Sequence, residues 1–157
     1  MDDLQFTYRR VTLDDLELLT AARVEFFADS HKELTDAQKA DLYADNMIFY
    51  EETLADGSFT AFLALDGDTL AGIGGVNFFR IPPKPKNKTG RSAYISNMYT
   101  RPEYRGRGIA TKIFALLVDE ARERGCGKVI LHASDMGRPI YEKYGFNMQK
   151  NAMEYYC

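Results

Sequence analysis

An arginine- and glycine-rich stretch, RPEYRGRGIA at residues 101–110, combines residue types that bind phosphate well. It follows a segment with strand character and precedes a long segment of helical periodicity, so it is predicted to connect a strand to a helix. The first turn of a helix offers unpaired backbone N–H groups and a partial positive charge, both of which attract phosphate. Gly108 and Ala110 keep side chains small there, and Arg105 and Arg107 add positive charge. The pattern indicates a pyrophosphate site, with a solvated turn as the alternative.

Two familiar phosphate-binding loops do not match this stretch. A Walker loop needs Gly-Lys-Ser/Thr, which the sequence lacks. A dinucleotide-binding loop needs Gly-x-Gly-x-x-Gly, and the glycines here have a different spacing. Since the sequence also suggests no acidic pair to hold a metal beside a nucleotide, a nucleotide-dependent phosphotransferase is disfavoured.

Cysteine and histidine chemistry has little support in the sequence. The chain contains two cysteines, Cys126 and Cys157, two histidines and no Cys-x-x-Cys pair, so no metal site is expected. The sequence suggests no ordered histidine partner for Cys126, which disfavours a nucleophilic role. His132 is either a base or a structural residue. Ser134 either holds a water that removes a proton or caps the end of a strand.

Composition and charge limit the class of protein. The chain has 157 residues, of which 45% are hydrophobic and 27% charged, so a single globular domain over 1–157 is expected. A net charge of −3 disfavours a nucleic-acid partner. The apolar runs are too short to span a membrane, and the acidic start MDDLQFTYRR is unlike a signal peptide. We therefore expect a cytoplasmic location.

The remaining pattern indicates the elements that must position these residues. Thr12 with Asp15, and Thr35 with Gln38, have the spacing of helix capping boxes. An Asp-Gly-Asp segment at 66–68 lies between two apolar runs, which is typical of a β-hairpin. Strands are predicted over 6–12, 58–65, 69–79, 92–100 and 128–133, the last as a buried strand, and helices over 13–28, 35–54, 106–124 and 137–144.

Three further segments complete the predicted fold. Glycines at 72, 74 and 75 interrupt the strand 69–79, which predicts a bulge or a close backbone approach. Residues 80–91 contain three prolines and five basic residues and are predicted to form an exposed loop. Residues 146–149 and 152–156 are predicted to form a final antiparallel pair. The order β-α-α-β-β-β-α-β-α-β-β indicates an α/β or α+β domain with a central mixed β-sheet flanked by helices.

Two of these motifs resemble a known family. RGRGIA at 105–110 matches the Arg/Gln-x-x-Gly-x-Gly/Ala signature of the GCN5-related N-acetyltransferases, the GNAT family. IYEKYGF at 140–146 resembles the Leu-Tyr-Glu-Lys-x-Gly-Phe signature that follows later in that family. The predicted order of elements is also similar. The resemblance covers essentially the whole chain, most specifically over 92–147, and is weak over the first 57 residues.

The resemblance implies a GNAT-like fold that binds acetyl-CoA between splayed central strands, 92–100 and 128–133. The pyrophosphate of the cofactor would contact the backbone N–H groups of 105–110, and its pantetheine arm would extend along the end of the first of these strands. The cofactor-binding residues so implied are Met98, Tyr99, Thr100, Arg105, Gly106, Arg107, Gly108, Ile109, Ala110, Ser134, Tyr141 and Tyr144.

The implied reaction is acetyl transfer to the amine of a small molecule or peptide, by direct attack in a ternary complex. Tyr141 matches the family tyrosine that protonates the leaving thiolate, and Glu25 is a candidate base because its helix often borders the acceptor pocket. Ser134 is the other catalytic candidate. The chain departs from the family at Ser96, where many members carry a glutamate base. Asn97 either orients substrate or pairs a bulged backbone.

The resemblance leaves open whether the protein is an enzyme, and the sequence adds expectations about its acceptor and its partners. A catalytically silent coenzyme A-binding regulatory module is the alternative to an enzyme. The basic loop 80–91 is expected to lie beside the splayed strands and to attract an acceptor that also carries an anionic group. The tyrosine-rich tail MEYYC is expected to form a sheet edge or a contact in a homodimer.

Overall fold

A computed structural model describes residues 5–30 and 33–157. The break predicted at 29–34 therefore lies partly outside the described residues. A 3-10 turn, Leu13–Asp15, precedes the first helix, and another, Pro102–Tyr104, follows the fourth strand. The strands are β1 (Thr7–Arg10), β2 (Phe59–Asp66), β3 (Thr69–Arg80), β4 (Arg91–Thr100) and β5 (Lys128–Leu131), and the helices are α1 (Leu16–Ser30), α2 (Asp36–Asp56), α3 (Ile109–Glu123) and α4 (Arg138–Tyr144).

The five strands form one mixed sheet in the order β1-β2-β3-β4-β5, which confirms the predicted central sheet. The first four strands are antiparallel neighbours, and β5 is parallel to β4. The predicted hairpin joins β2 to β3 through Gly67 and Asp68. The crossover from β4 to β5 contains α3, as a parallel connection requires.

The fourth strand extends well beyond its pairing with the fifth. β4 pairs with β5 only from Ser92 to Ile95, and β5 ends at Leu131 while β4 continues to Thr100. The carboxyl-terminal half of β4 therefore has no β5 partner, and a gap opens between the strands. This is the splay expected for the family.

A β-bulge deforms the centre of the sheet, as the glycines of β3 predicted. The β3–β4 register shifts between Ile73 and Gly75, and it skips Asn97 and Met98 on β4. Asn97 has a φ of 58°, a left-handed conformation that asparagine tolerates better than most residues. The extra residue bends β4 at the point where it leaves β5.

Two apolar clusters cover the two faces of the sheet. On one face α3 buries its broad apolar stripe, which includes Ile109, Ile113, Phe114 and Leu117. On the other face, α1 and α2 cover a second cluster. Its largest fully buried aliphatic side chains are Leu19, Leu63 and Ile73. Because side chains alternate along a strand, Ile73 points to one cluster while Gly72 and Gly74 face α3.

Both predicted capping boxes are present, although one of them begins a 3-10 turn and not an α-helix. Thr35 and Gln38 make the reciprocal hydrogen bonds of a capping box at the start of α2. Thr12 donates its N–H to Asp15, but this box begins the 3-10 turn, so α1 starts at Leu16. None of the helices in the described residues is long and apolar enough to cross a membrane.

The carboxyl-terminal prediction was wrong. Residues 146–157 form no strand, and Tyr155 and Tyr156 are 89% and 84% exposed. Neither predicted segment buries an apolar face, and a two-stranded hairpin alone is marginal in water. β5 is accordingly an edge strand whose residues alternate between exposed and half-buried, whereas a buried strand was predicted.

Candidate active site

A cavity of about 1200 Å³ lies where β4 separates from β5. Residues 94–100 of β4 form one wall, and α1, α2, the 104–111 segment and the start of α4 supply the others. The splay and the bulge of β4 create this space, because a fully paired strand would close it. The cavity brings together the predicted phosphate-binding loop and two of the three predicted catalytic residues, Ser134 and Tyr141.

The loop before α3 has the geometry of an anion cradle. Gly106 and Gly108 adopt left-handed φ values of 77° and 80°, and Gly108 is the N-cap of α3. No other atom lies within 4 Å of the position that a Cβ would occupy on either glycine, so the space in front of the loop is open. Ile109, Ala110 and Thr111 begin the helix and line the cavity, and their N–H groups have no intrahelical acceptor. These residues fit a pyrophosphate group.

The two arginines of the loop differ in what they contact. Arg105 donates from Nε to the carbonyl of Thr100 at 3.0 Å and from Nη2 to Asp29 at 2.8 Å, so it fastens the loop to β4 and α1. Arg107 is exposed, and its guanidinium lies 5.7 Å from the centre of the Tyr104 ring. In the part of the chain that the structure describes, Arg107 is not among the residues that line the cavity.

The bulged end of β4 lines the cavity beside this loop. Met98, Tyr99 and Thr100 all contribute to its wall, as the predicted pantetheine surface requires. Asn97 is buried and donates to the Tyr50 hydroxyl at 3.2 Å, while its own Oδ1 is buried without a hydrogen-bond partner. Burial raises the pKa of Tyr50 to about 12, so this hydroxyl remains protonated. Asn97 Oδ1 is therefore free to accept a hydrogen bond.

Tyr141 lies in the cavity wall and is only 8% exposed. Its ring packs against Phe114 of α3, with 4.8 Å between the ring centres, and burial raises the pKa of its hydroxyl. Ser134 also lines the cavity, where its Oγ accepts the N–H of Gly137 at 3.1 Å and so shapes the start of α4. Tyr144 packs on Phe114 from another direction and, among the described residues, is not part of the cavity lining.

The carboxylate of Glu25 forms an ion pair and accepts a further hydrogen bond. Its two oxygens accept from Nε and Nη2 of Arg101 at 2.9 and 3.0 Å, and Oε1 also accepts from the Tyr99 hydroxyl at 3.3 Å. Burial, followed by the charge of Glu25, raises the pKa of Tyr99 to about 12. Within the described residues Glu25 does not line the cavity. The geometry therefore supports a role in fastening α1 to the end of β4.

His132 lies at the edge of the cavity, just after β5. Its Nδ1 is 3.0 Å from the Tyr94 hydroxyl on β4, a hydrogen bond close to the point where the pairing of the two strands ends. The rings meet nearly edge to face at 5.6 Å. Burial raises the pKa of Tyr94, so the phenol stays neutral beside the imidazole.

Sequence reasoning missed several contributors to the cavity, among them one arginine and two tyrosines. Arg23 of α1 and Tyr94 of β4 both line it, together with Tyr50 of α2. The signal for Arg23 was present, because this cation interrupts the apolar stripe formed by Leu16, Leu19 and Phe26. Tyr94 and Tyr50 had no local signal, since tyrosine is common on buried strands and helices.

The basic loop lies elsewhere, which corrects the prediction that it borders the splayed strands. Its residues 81–90 connect β3 to the amino-terminal end of β4, and none of them belongs to the cavity lining of the described chain. Asn87 is 2% exposed and donates to the carbonyl of Arg91 and to Ser92 Oγ, both at 3.1 Å. These bonds anchor the loop against the paired end of β4, away from the splay.

Comparison with protein families and curated sequences gives one consistent result. The family model described as Acetyltransferase (GNAT) family matches residues 18–146. The thialysine N-ε-acetyltransferase of Sus scrofa is 28% identical over 123 residues, which is 78% of this chain and 68% of that enzyme. The glucosamine 6-phosphate N-acetyltransferase of Trypanosoma brucei brucei is 36% identical over 72 residues, 45% of this chain and 49% of that enzyme.

Solved structures agree over nearly the whole length. A predicted acetyltransferase from Clostridium acetobutylicum, crystallised with acetyl-CoA, is 34% identical with a TM-score of 0.88, covering 96% of both chains. A GCN5-related N-acetyltransferase from Ralstonia eutropha JMP134 is 26% identical with a TM-score of 0.83, covering 96% of this chain and 98% of that one.

Proposed function

Because this chain belongs to the GNAT family of acetyltransferases, we propose that it transfers an acetyl group from acetyl-CoA to the amine of a small molecule, with both bound together. One observation carries the proposal: the open glycine loop before α3 and Tyr141 line the same cavity, at the split between β4 and β5. Acetyl-CoA supplies the acetyl group as an activated thioester, and members of the family use it in this way.

The loop and β4 hold the donor. The first-turn N–H groups of α3 bind the pyrophosphate, because the left-handed glycines 106 and 108 leave that side free of side chains. The unpaired half of β4, at 98–100, offers backbone groups to the pantetheine arm as an added strand would. Arg105 acts through the loop, which it fastens to Thr100 and Asp29.

Tyr141 donates the proton that the leaving sulfur requires. Its hydroxyl is protonated throughout the neutral range, because burial raises its pKa. The ring is held against Phe114, and the turn that Ser134 caps sets the start of its helix. Ser134 thus contributes by positioning Tyr141.

His132 takes the proton of the attacking amine. With Nδ1 protonated and donating to the Tyr94 oxygen, Nε2 keeps a lone pair for that proton. The carboxylates near the cavity are less suited, because Glu25 is paired with Arg101 and Asp29 with Arg105.

The acceptor is a small amine. The relatives described above are named for small-molecule acceptors, thialysine and glucosamine 6-phosphate. The acceptor side of the cavity is bordered by α1 and α2, and the aromatic residues Phe26, Phe49 and Tyr50 narrow it. Asn97 Oδ1, buried without a partner, is available to accept an N–H of the amine.

The proposal is tested by incubating the protein with acetyl-CoA and a panel of amines, measuring thiol release and identifying products by mass spectrometry. Gly108→Val adds a side chain to the loop that binds the pyrophosphate and disfavours the left-handed φ of 80° at this position, so it is expected to abolish acetyl-CoA binding in calorimetry while the protein remains folded. Normal binding by this variant would refute the phosphate assignment. Tight acetyl-CoA binding without transfer to any amine would favour the alternative, a catalytically silent coenzyme A-binding module.

A further inference from the structure

Arg23 carries an unmatched positive charge in the wall of the cavity. It lies on α1 and lines the cavity, and its Nε is buried with no hydrogen-bond partner in the described part of the chain. Among residues 5–30 and 33–157, no carboxylate forms a salt bridge with it. Arg105, which also lines the cavity, pairs with Asp29, and Arg101, directly after β4, pairs with Glu25.

Aromatic rings hold the Arg23 guanidinium in place without neutralising it. Its central carbon lies 4.5 Å from the centre of the Phe27 ring and 5.8 Å from that of Phe26. Tyr50 and Tyr94 are the polar groups that face it, and both phenols are neutral because burial raises their pKa values. Burial also lowers the pKa of Arg23 itself, so the charged side chain is destabilised by lost hydration.

A half-buried cation without a counter-ion costs folding free energy, and an anion that binds beside it offsets that cost. A planar guanidinium stacked on aromatic rings is also preorganised to donate two parallel hydrogen bonds to a carboxylate or phosphate. The site is therefore suited to a ligand group that carries a negative charge.

Within the described residues, Arg23 interacts with side chains of α1, α2 and β4 (Phe26, Phe27, Tyr50 and Tyr94), none of which belongs to the glycine loop that would hold the pyrophosphate of the donor. Arg23 is near Tyr94, whereas the glycine loop follows Thr100. Arg23 instead shares its end of the cavity with Tyr94 and its hydrogen-bonded partner His132, where the amine would be deprotonated.

We propose that Arg23 binds an anionic group, a carboxylate or a phosphate, on the same small molecule whose amine is acetylated. This inference rests on the proposed function. The feature that selects an anionic acceptor is then Arg23, a single cation inside the cavity, and not the basic loop at 81–90.

The test compares acceptors that differ only in the charged group. L-lysine against L-lysinamide probes a carboxylate, and glucosamine 6-phosphate against glucosamine probes a phosphate. Each pair is measured by kcat/KM and, without acetyl-CoA, by calorimetric binding. The variants are Arg23→Gln, which removes the charge, and Arg23→Lys, which keeps the charge and loses the planar fork. The matched control neutralises Lys84, Lys86 and Lys88 of the distant loop together.

The wild type is expected to prefer the charged member of at least one pair by about 10- to 100-fold, chiefly through KM, as for a hydrogen bond between charged groups. Arg23→Gln should abolish that preference, Arg23→Lys should reduce it, and the triple lysine variant should retain it. Equal use of both members, or a preference that survives in Arg23→Gln, would overturn the inference. If no amine is acetylated, the proposed function fails, but calorimetry still tests the anion site. Binding of a charged probe that is lost in Arg23→Gln would support the anion site. No such binding to the wild type, or equal binding to the variant, would overturn it.

Discussion

Single side chains in this protein take their chemistry from their surroundings. Tyr141 and Tyr144 lie on the same short helix and both pack against Phe114. Tyr141 is buried in the cavity wall, whereas Tyr144 is 37% exposed and its hydroxyl accepts from Arg122 at 3.2 Å. The two tyrosines therefore form a natural pair of test and control.

Tyr141→Phe is expected to lower turnover by about 10²- to 10⁴-fold, the usual contribution of a general acid. The ring stays in contact with Phe114, so the affinity for acetyl-CoA should be nearly unchanged. Steady-state kinetics and calorimetry measure the two effects. Tyr144→Phe is the control and should turn over normally. Full turnover by Tyr141→Phe, with chemistry rate-limiting, would remove Tyr141 from the mechanism.

His132→Gln is expected to lower kcat/KM for the amine by about 10²-fold, because the proton acceptor is lost. Acetyl-CoA binding should persist, since the glycine loop is intact. Tyr94→Phe removes only the group that orients the imidazole, so a smaller loss is expected. Kinetics that are unchanged in both variants would show that the amine loses its proton elsewhere.

At the scale of elements, the site depends on how closely α3 approaches the sheet. A Cβ on Gly74 would lie 2.6 Å from both Ile113 Cγ2 and Met98 Sδ, and one on Gly72 would lie 2.8 Å from Ile109 Cγ2. Because these two positions of β3 carry no side chain, α3 can pack directly against the strand. The helix then begins at the open end of the splay, where its first turn borders the cavity.

Gly74→Ala is expected to lower the free energy of unfolding by about 1–3 kcal/mol, because the added methyl overpacks the contact with α3. Denaturant unfolding measures the change. Gly67→Asn in the β2–β3 turn is the control: no atom lies within 4 Å of its Cβ position, and asparagine tolerates the φ of 60° there. A Gly74→Ala protein as stable as the wild type would contradict the close approach.

At the scale of the whole molecule, Glu120 of α3 connects distant parts of the chain. It is 7% exposed and accepts from Arg10 of β1 at 2.6 Å and from Arg124 at 3.0 Å. Arg124 in turn donates to Thr60 Oγ1 on β2 at 2.9 Å. Hydrogen bonds from Arg10, then from Arg124, hold the pKa of Glu120 below its usual 4.5.

This lowered pKa predicts a loss of stability in acid. A carboxyl group whose pKa is lower in the folded state stabilises the fold above its usual pKa, and the stabilisation disappears as the pH falls. The free energy of unfolding should therefore decrease below about pH 4.5. Asp15, whose pKa is lowered chiefly by its hydrogen bond with Arg9, adds to the decrease.

Glu120→Gln should lower the free energy of unfolding by about 2 kcal/mol at pH 7, the scale of a hydrogen bond to a charged group. The stability of this variant should then fall less in acid than that of the wild type. Urea unfolding between pH 7 and pH 3 measures both effects. Asp119→Asn is the control, since Asp119 is 59% exposed. An acid profile of Glu120→Gln that parallels the wild type would refute the assignment.

Features that depend on residues close together in the chain could be predicted from sequence. The capping box at Thr35, the turn at Gly67 and the cradle at Gly106 and Gly108 each need only a few neighbouring residues in a particular backbone conformation. The periodicity of α3 likewise indicated its buried face. Local sterics and hydrogen bonding decide such features, so the motifs and the order of elements could be predicted as far as α4.

Only the tertiary structure decided which side chains share the cavity. The sequence leaves Glu25 a candidate base, whereas the fold pairs its carboxylate with Arg101, 76 residues away. The fold also leaves Arg23 without an acidic partner among the described residues, which its position in the sequence does not indicate. The basic loop and the tail were misplaced for the same reason. Burial, ion pairing and strand partnership depend on contacts between distant segments, and composition and local spacing do not encode those contacts.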